Sequence, residues 1–361
     1  SGDCWAEVIV EAFHPEGARI TYGGITPDKV PTLVAEHFVG GAPLTDWLIA
    51  RSDSPGPWSE KESLLSPWRI LTRNCGLCNP DEIDDYLAMG GYAALRRALD
   101  MPPEQVVEEV SWSGLRGRGG AGFPTGLKWQ IAQRAPGRPK YAVCNAEEGE
   151  PGTFKDRLLL ESDPHLVLEG LTIAGFAVGA NQGFIFLRED YRLAAERLRR
   201  AVAQGGERGL LGHDILGTGF TFRVEVTISP RSYVCGEESA LFSALEGKRG
   251  NPRAKPPFPA QKGYLGQPTV VNNAETLAAI PIILEQGGAW YRRLGGGRTP
   301  GTKIFCLIGN VARSGAFEAC LGLSLRDAIY RVGGGTPEGR PLKMVQIGGM
   351  SGGILPADLL D

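Results

Sequence analysis

Residues 166–187, LVLEGLTIAGFAVGANQGFIFL, decide the fold class. Their first part, Leu166–Gly179, spaces its apolar side chains as a helix does, and Gly183–Leu187 is a short β-rich run. Upstream, Lys140–Cys144 is again strand-like; downstream, Tyr191–Ala203 returns to helical periodicity. Over residues 104–290 this alternation favours an α/β sandwich that binds ligands at its strand ends.

On the N-terminal side, Val8–Ala12 and Ala18–Tyr22 are expected as strands around a Pro15-Glu16-Gly17 turn. Thr26 before Pro27 predicts an N-cap and first helical position for a helix over Asp28–His37. Asp53–Pro67 is polar, with three prolines and a glycine, and suits a linker. Helices are expected at Asp81–Met89, capped by Asn79 and Pro80, and at Tyr92–Leu99 after Gly90-Gly91. A further unit starts near Gly301, with strand Lys303–Gly309, helix Leu325–Val332 and strand Lys343–Ile347. It has little room to complete a domain before Asp361.

The 361 residues, 42% apolar and 22% charged, leave room for two or three domains of an ordinary globular kind. A net charge of −3 offers no general attraction to nucleic acid or anionic membrane, and runs such as Leu171–Ala180 are too short to insert into a bilayer. The 51 glycines, roughly twice the usual share, cluster, which suits backbone approaching a ligand. Seven scattered cysteines form no disulfide framework and suit a reducing cytoplasm. Only Cys75 and Cys78 have ligand-like spacing, and no second pair follows, so no metal is expected. His14, His37, His165 and His213 form neither a metal pair nor a triad.

Four clusters carry chemistry. Gly114–Trp129 (GLRGRGGAGFPTGLKW) can wrap a ligand in backbone amides, with Arg116, Arg118 and Lys128 supplying charge and Thr125 a helix cap. It lacks both the Walker ending and the dinucleotide spacing, so a phosphotransferase is disfavoured, while a structural glycine loop stays open. Phe123 within it offers a stacking surface. Cys144–Arg157 (CNAEEGEPGTFKDR) follows a strand. Asn145 there can donate and accept, and the carboxylates suit ribose hydroxyls or a nicotinamide amide; a solvated acidic loop is the alternative. Tyr233–Ser239 (YVCGEES) follows the β-rich stretch Thr221–Ile228 and leads into a helix over Ser239–Leu245, where Glu237 and Glu238 could simply cap. Lys255–Pro259 (KPPFP) frames a charge and a ring, and Asn272-Asn273 can cap a helix over Ala274–Leu284 or bind phosphate at its start.

Together these runs resemble the flavoprotein subunit that accepts electrons from NADH in respiratory complex I, and its relatives in NAD-linked hydrogenases and formate dehydrogenases. The likeness covers roughly residues 70–361. It implies a Rossmann-like FMN/NADH-binding sandwich over 68–295, a partial thioredoxin-like module over 1–52, a linker at 53–67 and a partial β-grasp-like (SLBB) domain over 296–361. The family's C-terminal helical domain with four [4Fe-4S] ligands is not in this sequence, and Cys306 and Cys320 do not match its motif. The resemblance places Gly117, Arg118, Gly119, Gly120 and Lys128 at FMN, the last near its phosphate. Asn145, Glu147 and Glu148 would face the isoalloxazine and ribityl groups, and Tyr233, Gly236, Glu237 and Glu238 the nicotinamide side, with Glu148 and Glu238 orienting that ring. Asn272, Asn273 and Thr276 would hold the FMN phosphate; Phe123, Glu150, Lys255 and Phe258 would receive the adenosine half of NADH. Glu147 stands where the family commonly has Asp, and Ser229–Ser232 replaces a glycine-rich lead into Tyr233.

The implied activity is hydride transfer from NADH to FMN, then single electrons to iron–sulfur clusters, which needs no residue as acid or base. The implied partners are a thioredoxin-like [2Fe-2S] subunit and a downstream hydrogenase, formate dehydrogenase or complex I-type module, and the implied location is the cytoplasm or, through partners, the cytoplasmic face of a membrane. The competing function is a nucleotide-binding assembly subunit without flavin.

Overall fold

The computed structural model describes residues 7–13, 19–52, 69–295 and 299–361; the linker at 53–67, the Pro15–Gly17 turn and His14 lie outside the described residues. The first unit is an antiparallel sheet of β1 (Val10–Phe13), β2 (Arg19–Tyr22) and β3 (Leu48–Ser52), in that order. The third strand was not expected, and the first starts two residues later than Val8. Helix α1 (Val30–Leu33) continues in wider turns to Val39. It begins at Val30 rather than Asp28, with Pro31 preset for its first turn. The main-chain carbonyl of Thr26, not its hydroxyl, receives the Lys29 amide at 2.9 Å.

Helices α2 (Ile83–Ala88), α3 (Ala93–Leu99), α4 (Pro103–Ser113) and α5 (Thr125–Arg134) precede the main sheet. The cap expected from Asn79 is displaced: its Oδ1 accepts from Asp81 in a turn ahead of the helix. The sheet then follows as β4 (Tyr141–Ala146), α6 (Lys155–Ser162), α7 (Pro164–Val178), β5 (Gln182–Leu187), α8 (Arg192–Glu207), β6 (Arg223–Ile228), α9 (Glu238–Leu245) and β7 (Thr269–Asn273). Helices α10 (Ala274–Gln286) and α11 (Gly288–Arg293) complete this unit. All pairings are parallel, in the order β6-β5-β4-β7.

Both sheet faces are covered, as a parallel sheet requires. Ala142, Cys144, Ile185, Leu187 and Val270 join the core that contains α7 and α10, whereas Val143, Phe184, Phe186 and Val271 pack with Leu241 and Phe242 of α9. Helix α7 is the centre of the larger core. Asp163 accepts the Leu166 amide at its start, Pro164 is preset at its first position, and Gly179 (φ 74°) ends it. Leu166, Leu168, Leu171 and Ile173 are wholly buried, each contributing about 1.5–3 kcal/mol.

Beyond α11, β8 (Thr302–Leu307) pairs antiparallel with β9 (Gly315–Cys320), a helical segment spans Asp327–Val332, and β10 (Met344–Gln346) pairs with β11 (Ile354–Pro356). Buried Glu318 of β9 ties this segment to the main unit by accepting the amides of Ile70, Leu71 and Thr72, each at 3.0 Å. Among the described residues no helix is long and apolar enough to cross a membrane.

Candidate functional site

The chain winds from β4 outward to β6, then returns to lay β7 against the opposite edge of β4. That reversal opens a crevice at the carboxyl ends of β4 and β7, where parallel sheets bind ligands. Asn145 and Glu147 stand at one lip, and Asn272 and Asn273 at the other.

The glycine loop reaches this crevice as a closed-necked turn. Gly117 donates to Phe123 O and Thr125 to Leu115 O, both at 2.9 Å, and Arg116 Nε donates to Gly122 O at 2.7 Å. Above the neck, the amides of Gly119, Gly120, Ala121 and Gly122 donate to nothing among the described residues. A Cβ on Gly119 would sit 3.1 Å from Asn273 Cβ, so this glycine lets the loop close on the far lip. Gly120, at φ 120°, holds a backbone conformation that side chains disfavour.

The expected charge at this loop is partly redirected. Arg118 is buried, with Nη2 donating to Pro300 O at 2.8 Å and its amide donating to Thr276 Oγ1 at 2.9 Å. Its guanidinium is thus engaged by the protein interior. Lys128 Nζ gives one proton to Val271 O at 2.9 Å and retains two, and burial lowers its pKa. Thr125 begins α5 but does not cap it; its buried hydroxyl oxygen has no hydrogen bond.

Asparagines line the crevice with fixed orientations. Trp129 Nε1 donates to Asn272 Oδ1 at 2.9 Å, which turns the Asn272 amide protons elsewhere. Asn273 caps α10 and is saturated: Oδ1 accepts from Glu275 N at 3.0 Å and Lys155 Nζ at 3.2 Å, while Nδ2 donates to Asp156 at 2.6 Å and Asn145 O at 3.4 Å. Asn145 Nδ2 donates to Gly236 O at 2.8 Å, joining the β4 lip to the turn before α9.

The carboxylates after β4 are no solvated acidic loop. Glu147 is buried, with Arg188 Nη1 at 3.5 Å, and neither of its carboxyl oxygens makes a close hydrogen bond among the described residues. Burial raises its pKa, against the pull of Ser229 and Arg188. Glu148 is also buried but fully engaged: it accepts the Asp156 and Arg157 amides at the start of α6 and the Tyr191 hydroxyl. Burial, with help from neighbouring Asp156, pushes its pKa up to about 7. Glu150 accepts from Tyr233 Oη at 2.6 Å.

At the entrance, Glu237 caps α9 by accepting the Ser239 and Ala240 amides. Lys255 lies between Glu237 and Glu238, at 2.9 and 2.7 Å. Partial burial works against its charge, but the two carboxylates outweigh that and raise its pKa. Phe123, Phe258 and Tyr233 present exposed rings at this side.

Beneath the crevice lies a charged cluster that sequence reasoning did not assign. Lys155 Nζ meets Asp156 at 2.6 Å and Glu275 at 3.3 Å, and Lys303 meets Glu275 at 3.0 Å. Its one sequence signal was Lys155-Asp156 inside the run Cys144–Arg157. Cys75 and Cys78 are buried, and burial pushes both thiols up to about 12.

A parallel sheet with an amide-lined crevice at its reversal point defines a nucleotide-binding α/β protein. A family model described as the Nuo51 FMN-binding domain matches residues 110–282. The NADP-reducing hydrogenase subunit HndC of Solidesulfovibrio fructosivorans is 50% identical over 303 residues, 84% of this chain and 61% of that protein. An NADH-quinone oxidoreductase subunit of Rhizobium meliloti (strain 1021) is 47% identical over 293 residues, 81% and 70% of the two chains. The crystal structure of an NAD+-reducing [NiFe]-hydrogenase in the H2-reduced state superposes with a TM-score of 0.70 at 32% identity, covering 94% of this chain and 55% of that one. The chain belongs to this family of Nuo51-type FMN-binding proteins, which includes subunits of NADH-quinone oxidoreductases, and it spans about three fifths of the HndC relative.

Proposed function

We propose that this chain is the NADH-oxidising, FMN-carrying part of an electron-transfer protein. The observation that carries the reading is the row of four undonated amides at Gly119–Gly122, closed against Asn273 at the sheet's reversal point. Such amides suit a phosphate, and a cradle that a single Cβ would crowd suits FMN better than a bulkier side-chain contact. The Glu147 carboxylate, without a close hydrogen bond among the described residues, fits as well, since ribityl hydroxyls or a flavin ring N–H would satisfy it.

In this reading the loop amides and Lys128 hold the phosphate end with Thr276, whose oxygen accepts from Arg118 and whose proton stays free to donate. Asn272 presents amide protons to the same group, while Asn273 shapes the wall because its carboxamide is already saturated. Gly117 and Arg118 form the neck of the cradle. Asn145 and Glu147 meet the ribityl and ring edge, and Glu148 braces them through α6. Tyr233, Gly236, Glu237 and Glu238 border the nicotinamide side. Phe123, Phe258, Lys255 and Glu150 receive the adenosine half. FMN held by these residues would supply the hydride-accepting and one-electron redox chemistry. The chain's own task is to bind, orient and exclude water.

We further infer that residues 1–52 are part of a thioredoxin-like module, 69–295 the FMN/NADH unit and 299–361 part of a β-grasp-like domain. The expected partners are a thioredoxin-like [2Fe-2S] subunit and a hydrogenase, formate dehydrogenase or complex I-type acceptor. The test is optical. Protein purified gently, or offered FMN, should show an absorption band near about 450 nm, set by the cofactor, which NADH bleaches. A colourless protein that takes up no FMN refutes the proposal and favours the assembly subunit.

A further inference from the structure

A second glycine-rich run, Ile347–Gly353 (IGGMSGG), lies in the loop between β10 and β11, and no function above uses it. The fold carries it back across the molecule to the entrance of the crevice. There the Ser351 amide donates to Glu150 Oε1 at 3.4 Å, while Glu150 Oε2 accepts from Tyr233 Oη at 2.6 Å. The Met350 amide and the Ser351 hydroxyl also act on this pair, the first on Glu150 and the second on Tyr233. Three segments far apart in sequence thus converge on one carboxylate.

The loop's glycines are what allow the approach. Gly348 and Gly349 adopt φ 84° and 83°, a conformation that side chains rarely take. A Cβ at Gly349 would fall 2.2 Å from Glu150 Oε1 and 2.5 Å from its carboxyl carbon. Nearby, a Cβ at Gly152 would meet Ile308 Cδ1 at 2.5 Å, so the segment after β8 also presses on the loop that bears Glu150. The C-terminal unit is therefore fitted closely over this loop, by the Gly349 backbone at Glu150 and by the Ile308 side chain at Gly152.

We propose that Ser351 is a positioning residue of the dinucleotide site, and that loop 347–353 holds the Glu150 carboxylate and Tyr233 hydroxyl in the orientation that receives the ribose hydroxyls of NADH. This rests on the reading that Glu150 meets the adenosine half. A carboxylate has about four acceptor positions, so Glu150 can keep the loop's donors and still accept from a ribose hydroxyl. Left alone, an exposed glutamate side chain sweeps many rotamers; tethered by backbone and phenol, it is ordered before the ligand arrives, which lowers the cost of binding. The C-terminal unit is then a wall of the nucleotide site as well as a neighbour of it.

The experiment compares FMN-loaded full-length protein with Gly349→Ala, Ser351→Pro and Ser351→Ala variants, reading NADH oxidation with ferricyanide as acceptor. Gly349→Ala pushes the carboxylate aside and Ser351→Pro removes its amide donor; each is expected to raise KM for NADH about tenfold, as loss of a charge-assisted bond does, with kcat held within about twofold. Ser351→Ala, which keeps the amide, should shift KM less. Glu150→Ala combined with Gly349→Ala should be no worse than Glu150→Ala alone, because both act through one carboxylate. Unchanged KM in Gly349→Ala, or strictly additive effects in the double variant, overturns the proposal while the NADH reading stands. Wild-type protein that holds FMN but is not reduced by NADH overturns both.

Discussion

Replacing Lys155 with Met tests whether the charged cluster beneath the crevice holds the site in shape. Lys155 is buried, 2.6 Å from Asp156, 3.3 Å from Glu275 and 3.2 Å from Asn273 Oδ1. Burial works against its ammonium, but Asp156, Glu275 and Glu148 together outweigh that and hold its pKa above the ordinary lysine value. Removing one partner of such a buried set costs about 3–5 kcal/mol, because the remaining charges lose their compensation. Here Glu275 keeps Lys303 at 3.0 Å and Asp156 keeps the Asn273 amide at 2.6 Å, which places the expected loss near the lower end, about 3 kcal/mol. Chemical denaturation followed by far-UV circular dichroism measures it. Arg208→Met is the control, since Arg208 and Asp84 are both exposed and their pair should be worth about 1 kcal/mol or less. The reasoning fails if Lys155→Met unfolds within about 1 kcal/mol of wild type, alongside the control.

Gly119→Ala should weaken FMN binding by roughly five- to thirtyfold, because the new methyl meets Asn273 at 3.1 Å and Asn273 is pinned on every side; an overpacking cost of about 1–2 kcal/mol sets that range, and quenching of FMN fluorescence in a titration reads it. His165 gives a pH prediction. Burial lowers its pKa from 6.5 to about 4, so as pH falls through 6.5 the unfolded chain takes a proton that the fold refuses. Its contribution is present above pH 6.5 and lost towards pH 4, by up to roughly 3 kcal/mol. Asp163 and Glu169, raised by burial to about 7, pull the other way, losing stability as pH rises towards 7. The difference between wild type and His165→Gln isolates the histidine, and equal pH slopes for the two would contradict it.

The parts of the fold carried by periodicity were legible. The runs around 141–146, 164–178, 182–187 and 192–207 alternate or repeat as their neighbours in space require, and boundaries moved by only a few residues. What escaped was structure whose reason lies elsewhere in the chain. Strand β9 contains Glu318, which looks solvent-facing in sequence but is buried to receive the amides of 70–72. Glu275, Glu148 and Glu169 were hidden in the same way: a carboxylate's burial depends on donors brought in by tertiary structure, and no local pattern announces them. Helix α6 was missed because its N-terminus is satisfied by Glu148, seven residues upstream of Lys155, rather than by a local cap. In the candidate site, residue types were legible and orientations were not. Arg118 was expected at FMN, and its guanidinium is held by the Pro300 carbonyl; Glu237, open between capping and binding, accepts amides at the start of α9.

The position of β7 has a bearing on how the protein matures. Gly119 and Asn273, which meet in the crevice, are separated by more than the whole length of the sheet's other three strands, and β7 is the last strand of that parallel sheet to be made. A nascent chain that has completed β4, β5 and β6 still lacks one jaw of the cradle. On the proposed reading of the cradle, cofactor loading waits until translation has passed residue 273, and products that stop earlier are expected not to acquire it.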